Sequence, residues 1–130
     1  MDYTQLLVDQ ISHTYCRLRP SNIAGVGVFA VRTIVAESNP FPECSSASYS
    51  KIPLSRFDHL PPNVKSLLYD FFVMEKGCFL IPKSLNSLDI SFYLNHADSP
   101  NCRFSAQEDC FYALRDIEEG EELTVDYTTF

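Results

Sequence analysis

Three short stretches of this chain hold residues whose types and spacing could do chemistry, and they lie far apart in the sequence. The first is Gly25-Val26-Gly27-Val28-Phe29. Two glycines around one residue let a ligand approach the backbone closely, and they equally make a plain turn. The dinucleotide-binding fingerprint is excluded, because its third glycine is missing and no helix pattern follows. The second stretch is Asn95-His96-Ala97-Asp98-Ser99-Pro100-Asn101. It sets side-chain amides, an imidazole and a turn-forming proline in one loop. Such a loop can offer donors and acceptors to a polar ligand, or it can be a turn whose Asn and Asp satisfy their own backbone. The third runs from Arg115 to Tyr127, a charged turn entering a strand that closes on Asp126-Tyr127. By itself its acidic cluster reads as a solvated face, and its tyrosine as a half-buried packing residue.

Other chemistry is poorly supported. The five cysteines, Cys16, Cys44, Cys78, Cys102 and Cys110, are odd in number and have no C-x-x-C spacing. That argues against a disulfide framework or a closed zinc site and leaves free, buried thiols as the default; no metal ligands are expected. A hydrolase would need a Cys or Ser beside His13, His59 or His96, and no nucleophile elbow is present.

The elements that must position these stretches follow from periodicity. Val26, Val28 and Val31 favour strand beside the first glycines. Ser38 to Ser50 reads as a Ser- and Pro-rich loop. Pro61-Pro62 starts a helix, with Val64, Leu67, Leu68, Phe71 and Phe72 on one face and Gly77 just past its end. Phe79-Leu80-Ile81 reads as a short strand. Cys110 to Leu114 and Leu123 to Tyr127 are further strands about a turn at Gly120. The order β, helical insert, β predicts an α+β, mainly β domain and not a βαβ array.

Size and charge set limits. The chain has 130 residues, 45% of them hydrophobic and 21% charged, which suits one globular domain with a real core. No apolar run is long enough to span a bilayer, and Met1 to Ile11 lacks the basic start and apolar stretch of a secretory signal. An intracellular setting, cytoplasm or nucleus, is therefore expected. The formal charge of −7 disfavours direct nucleic-acid binding and suits a basic protein partner.

Taken together and in order, the three stretches resemble the SET-domain protein lysine methyltransferases. That family opens with G-x-G before an Ile-rich strand, continues with R-F-x-N-H-S-x-x-P-N, and ends with G-E-E-L-x-x-D-Y. Here these stand as Gly25-Val26-Gly27, Tyr93-Leu94-Asn95-His96 through Pro100-Asn101, and Gly120 through Tyr127. The resemblance covers Arg19 to the C-terminus. It implies one SET domain over residues 1–130, made of small twisted sheets with a C-terminal pseudoknot and a helical insert at about 38–90. It also implies S-adenosyl-L-methionine as cofactor and a protein lysine, of a histone or another basic protein, as methyl acceptor.

Residue roles follow from the same resemblance. The backbone at Gly25, Val26, Gly27, Val28 and Phe29 would hold the cofactor's amino-acid end and ribose. Tyr93, Asn95 and His96 would hold its ammonium and adenine, and Phe130 could stack on the adenine. Tyr127 would sit where cofactor and lysine meet, as the catalytic residue. Phe104 and Val125 would line the lysine channel; neither has a hydroxyl to hold a water beside the amine, so more than one methyl per lysine is expected.

The sequence departs from the pattern in places. Phe92 replaces an Arg, Ala97-Asp98 replace Ser-Cys, and Val35-Ala36-Glu37 stands where a glycine is usual. The chain stops three residues after Tyr127, without the Cys-rich segment that closes the channel in many relatives. A second subunit could supply that lid, so a homodimer is compatible with the sequence. The alternative reading is a SET-fold binding module that has lost transferase activity.

Overall fold

The computed structural model describes residues 2–42 and 49–129. In chain order, helix α1 (Tyr3–Ser12) is followed by strands β1 (Cys16–Pro20), β2 (Val26–Ala30) and β3 (Ser50–Pro53). Helix α2 (Pro62–Phe71) leads to β4 (Val73–Glu75) and β5 (Cys78–Ile81). Then come β6 (Asn95–His96), β7 (Cys102–Ser105), β8 (Cys110–Ala113) and β9 (Glu122–Val125), with short 3-10 turns at Leu54–Phe57, Leu85–Ser87, Ile90–Tyr93 and Tyr127–Thr129. No helix among the described residues is long and apolar enough to cross a membrane.

The chain forms two compact units, Met1–Ser45 with Tyr93–Phe130, and Ser46–Phe92. The second unit is a three-stranded antiparallel sheet, ordered β3-β5-β4, with α2. Pro62 sits in the first turn of α2, where its missing N–H costs nothing. Leu68 and Phe72 bury against Phe79, which is fully enclosed. Phe57 and Tyr69 meet the Phe79 ring edge-on, at 6.0 and 5.1 Å between centroids.

The helix is shorter than its apolar pattern suggests. It ends at Phe71, and Phe72 is already extended. Val73 to Glu75 then pairs with β5. Gly77, at φ +77°, makes the β4–β5 turn together with Lys76 at φ +53°; it does not cap a helix. The β-branched and apolar run Phe71 to Met74 is better used as a strand, so tertiary pairing overrides the helical spacing.

The first unit carries all three of the chemically suggestive stretches. Its main sheet has the order β1-β2-β9-β6. β1 and β2 form an antiparallel hairpin, and β9 pairs antiparallel with β2 through Val28 with Leu123 and Phe29 with Glu122. On its other side β9 runs parallel to the two-residue strand β6, with Asn95 opposite Thr124 and His96 opposite Val125. β7 and β8 form a separate hairpin, whose mouth is closed by the Leu114 N–H donating to the Asn101 carbonyl at 2.9 Å. The last strand thus returns to lie against β6, the segment that precedes this hairpin. The core is Val28, Ala30, Ile34, Leu94, Cys102, Ala113, Ile117, Leu123 and Val125. Residues beyond Ser38 still belong to this unit: Ala113 N–H donates to the Ser38 carbonyl, and Phe41 meets Phe111 edge-on at 5.8 Å.

Asn101 is buried, and its side chain stands in for a strand edge. Its Nδ2 donates to the Glu122 carbonyl at 2.8 Å, and its Oδ1 accepts from Thr124 N–H at 2.8 Å. Both ends of one amide therefore satisfy backbone groups of β9, the Glu122 carbonyl and the Thr124 N–H. Asn101→Ala leaves a buried carbonyl and a buried N–H unpaired. It is expected to cost about 2–4 kcal/mol in urea denaturation; a loss below about 0.5 kcal/mol contradicts this role.

Glu37 takes φ +72°, a left-handed conformation in which a β-carbon costs roughly 1 kcal/mol. Its N–H is held by the Ala113 carbonyl at 2.8 Å, so the backbone is fixed there. This is where the resemblance expects glycine. Glu37→Gly is expected to raise stability by about 0.5–1 kcal/mol, the relief of strain exceeding the added chain entropy; a lower melting temperature refutes this.

Candidate functional site

The site is assembled in the first unit around the start of β2, the two residues of β6 and the end of β9. Gly25, at φ +48°, closes the β1–β2 turn, and its carbonyl accepts from Ser21 N–H at 2.8 Å. A β-carbon at Gly25 would meet open space, so the conformation and not crowding selects glycine there. Val26 to Phe29 form the strand itself, with Val26 exposed, Val28 fully buried and Phe29 half-buried.

Gly27 is glycine for a different reason. A β-carbon at this position would lie 2.8 Å from Glu122 Cδ and 3.0 Å from Asn95 Nδ2. The space it leaves is filled by those two side chains. Asn95 Nδ2 reaches Glu122 Oε2 at 2.9 Å, Ser21 Oγ at 3.1 Å, the Ala24 carbonyl at 3.1 Å and the Val26 carbonyl at 3.3 Å. The Ser21 hydroxyl donates to the Glu122 carboxylate, 2.7 and 2.9 Å from its two oxygens. The first and second stretches thus meet through one amide, with Glu122 of the third beneath it.

Tyr127 lies one residue past Asp126 in the last 3-10 turn. Asp126 builds that turn: its Oδ1 accepts from Thr128 N–H at 2.9 Å and Thr128 Oγ1 at 2.6 Å. These bonds, from the Thr128 side chain and backbone, hold the Asp126 carboxyl below its ordinary range, with a smaller contribution from His96. The Tyr127 N–H donates to His96 Nδ1 at 3.0 Å, and the His96 Nε2 sits 2.9 Å from Asp98 Oδ1. Nδ1 is therefore the bare nitrogen and Nε2 carries the proton. The Tyr127 ring is half-exposed, but its hydroxyl is tucked in and donates to the Leu94 carbonyl at 2.6 Å. Burial, and then the Glu122 charge, push the phenol pKa above its usual value.

The remaining expected site residues are placed as follows. Tyr93 ends the 3-10 turn that leads into β6 and is half-buried. Phe104 is half-buried against Phe111, with 5.1 Å between ring centroids. Val125 is wholly enclosed in the core beside His96. Phe130 falls outside the described residues. Among the described residues no group of His, Cys, Asp and Glu is arranged to hold a metal.

Sequence reasoning missed three contributors. Ser21 carries no motif and could not have been found. Asn101 and Glu122 are visible within the second and third stretches, but the charged turn reads as a solvated face and the Asn as part of a turn that satisfies its own backbone. The rest of the acidic turn does act structurally at the surface: Arg115 clamps Glu121 through 2.9 and 3.2 Å bonds, and Asp116 Oδ1 accepts from Ala36 N–H at 2.7 Å.

The thiols of Cys102 and Cys110 are unsuited to nucleophilic catalysis. Burial pushes Cys102 up to about 12, with Cys16 adding to the rise and Arg115 opposing it. Burial and Glu108 also push Cys110 upward. An activated nucleophile needs the opposite shift. In native protein at about pH 8, iodoacetamide is expected to leave Cys102 unmodified while Cys78 reacts. Equal labelling of the two in peptide mapping contradicts this.

Comparison with known proteins agrees with this geometry. The family model described as SET domain matches residues 25–128. A solved structure of a Plasmodium falciparum protein named for histone methyltransferase activity superposes with a TM-score of 0.53 at 20% identity, covering 88% of this chain and 93% of that one. At that identity the likeness shows the fold alone. No curated protein matches the chain in sequence.

Proposed function

The chain belongs to the SET-domain family, and from that premise we propose that it transfers methyl groups from S-adenosyl-L-methionine to the side-chain amine of a protein lysine. The observation that carries the reading is the seating of Tyr127. Its N–H is bound to His96 and its hydroxyl to the Leu94 carbonyl, so the terminal tyrosine is fixed on the Asn-His loop beside the glycine turn.

The residues present fit the cofactor. Asn95 turns its Nδ2 inward to fixed acceptors, which leaves its Oδ1 as an acceptor for an ammonium donor. The turn at Gly25 is uncovered by any β-carbon neighbour, so backbone there is approachable. When bound, S-adenosyl-L-methionine supplies an electrophilic methyl on a positively charged sulfur.

The tyrosine's part follows from its proton. Because the hydroxyl hydrogen is given to Leu94, the oxygen faces the site as an acceptor. It can accept an N–H of the neutral lysine amine and so aim the nitrogen lone pair, and it can polarise the methyl through weak C–H···O contacts. With the cofactor held there, the aimed nitrogen would take the methyl as the sulfonium became a neutral thioether, and the extra amine proton would pass to solvent. Free lysine titrates near 10.4, and an apolar channel lowers that value by disfavouring the ammonium. Tyr127 is no general base, because its raised pKa keeps the phenol protonated.

We further propose Phe104 and Val125 as the wall of the lysine channel, Tyr93 and His96 as part of the adenine pocket, and residues 1–130 as one SET domain carrying an insert. The formal charge of −7 supports a basic protein as substrate, such as a histone tail.

Tyr127→Phe is expected to keep the fold and cofactor binding while losing about a hundredfold or more in transfer rate. The sign of the pH dependence follows from the raised phenol. The wild-type rate should climb with pH as lysine loses its proton, with no falling limb from Tyr127 until above pH 10, the ordinary phenol value. Near-normal turnover by Tyr127→Phe, with radiolabelled cofactor and core histones or ribosomal proteins, overturns the assignment.

A further inference from the structure

Glu122 lies outside the roles just assigned, yet it is the residue on which the Asn95 amide rests. Its backbone is part of β9, clasped by Asn101 and paired with Phe29. Its carboxylate is held under Gly27 by the Ser21 hydroxyl and Asn95 Nδ2. An exposed acidic side chain beside a turn has no reason to be placed so closely; here the missing β-carbon of Gly27 makes room for it.

The consequence is directional. An amide can sit either way round, and only its surroundings decide. Around Asn95 Nδ2 stand two backbone carbonyls and a carboxylate, which can only accept, and a hydroxyl whose own proton faces Glu122. Turning the amide over would set Oδ1 against all of them. With Nδ2 held inward, Oδ1 is presented outward with no hydrogen-bond partner among the described residues.

We propose that Glu122, seated by Ser21 and Gly27, is a positioning residue that locks the Asn95 amide so that its oxygen receives the ammonium of the cofactor's amino-acid end. This rests on the cofactor reading above and assigns Glu122 no contact with the methyl or the lysine. Its charge also makes the neighbourhood favourable to a cation. Gly27 then serves cofactor binding indirectly, by leaving space for this support.

The test uses two ligands on the full chain. S-adenosylhomocysteine has the amino-acid end, and methylthioadenosine lacks it. In Glu122→Gln a neutral amide that can also donate replaces the carboxylate under Asn95, so only the Ala24 and Val26 carbonyls and the Ser21 hydroxyl still hold Nδ2 inward and the lock is weakened. The Kd for S-adenosylhomocysteine by calorimetry is expected to rise about tenfold, while that for methylthioadenosine is unchanged. In the ligand-free protein the Asn95 side-chain NH2 protons are expected to exchange with solvent faster in the variant, read by NMR. Should Glu122→Gln not fold, Ser21→Ala removes one support from the rim of the turn and is expected to weaken S-adenosylhomocysteine selectively, by about threefold. Equal weakening of both ligands, or an unchanged Kd for S-adenosylhomocysteine, overturns the inference alone. Failure of wild type to bind S-adenosylhomocysteine overturns the cofactor reading, and this inference with it.

Discussion

The first unit depends on how the strand β9 is held from both sides. β2 pairs with it on one side. On the other, the two residues of β6 are too few to satisfy it, and the buried amide of Asn101 completes the edge. A buried N–H and carbonyl without partners would be costly in such a core. A side-chain amide supplies both functions at once, in the geometry of a neighbouring strand. This allows the chain to leave β6, make the β7–β8 hairpin and still return with its last strand fully bonded.

Everything placed in the site follows from that clasp. Glu122 and Thr124 are the β9 residues whose backbone groups Asn101 holds. With their main chain fixed, the Glu122 side chain is delivered under Gly27, and the next residues carry Tyr127 up to His96. The tyrosine is oriented by three residues: Asp126 winds the final turn, Leu94 takes the hydroxyl proton, and His96 takes the N–H with its ring 5.3 Å from that of the tyrosine. A half-exposed side chain is thereby kept in one arrangement, which is the preorganisation that positional catalysis needs.

Three positions show how differently backbone constraint can be met. Gly25 is needed for a left-handed turn and faces open space, whereas Gly27 has ordinary strand geometry and is needed for room. Glu37 takes a left-handed conformation without being glycine, and is retained there by its bond to Ala113. The strain is local and small compared with the pairing that it permits.

The sequence by itself determined the mainly β character, the order of β-rich, helical and β-rich parts, and the family, because turn residues, apolar spacing and three ordered motifs are local signals. The strands expected at 79–81, 110–114 and 123–127 were legible for that reason, although the last ends at Val125 and Tyr127 lies in a 3-10 turn. What only the tertiary structure decided was non-local. α2 gives way early to β4 because β5 offers it a partner, a choice that helical spacing cannot register. The use of Gly27 as space for Glu122, the seat of Ser21 beside it and the clasp by Asn101 each join residues from distant parts of the chain. A polar side chain in a turn looks the same in sequence whether it faces water or a buried strand edge. Its partners are set by the return of β9, and hydrogen bonding over such separations leaves no periodic trace in the sequence.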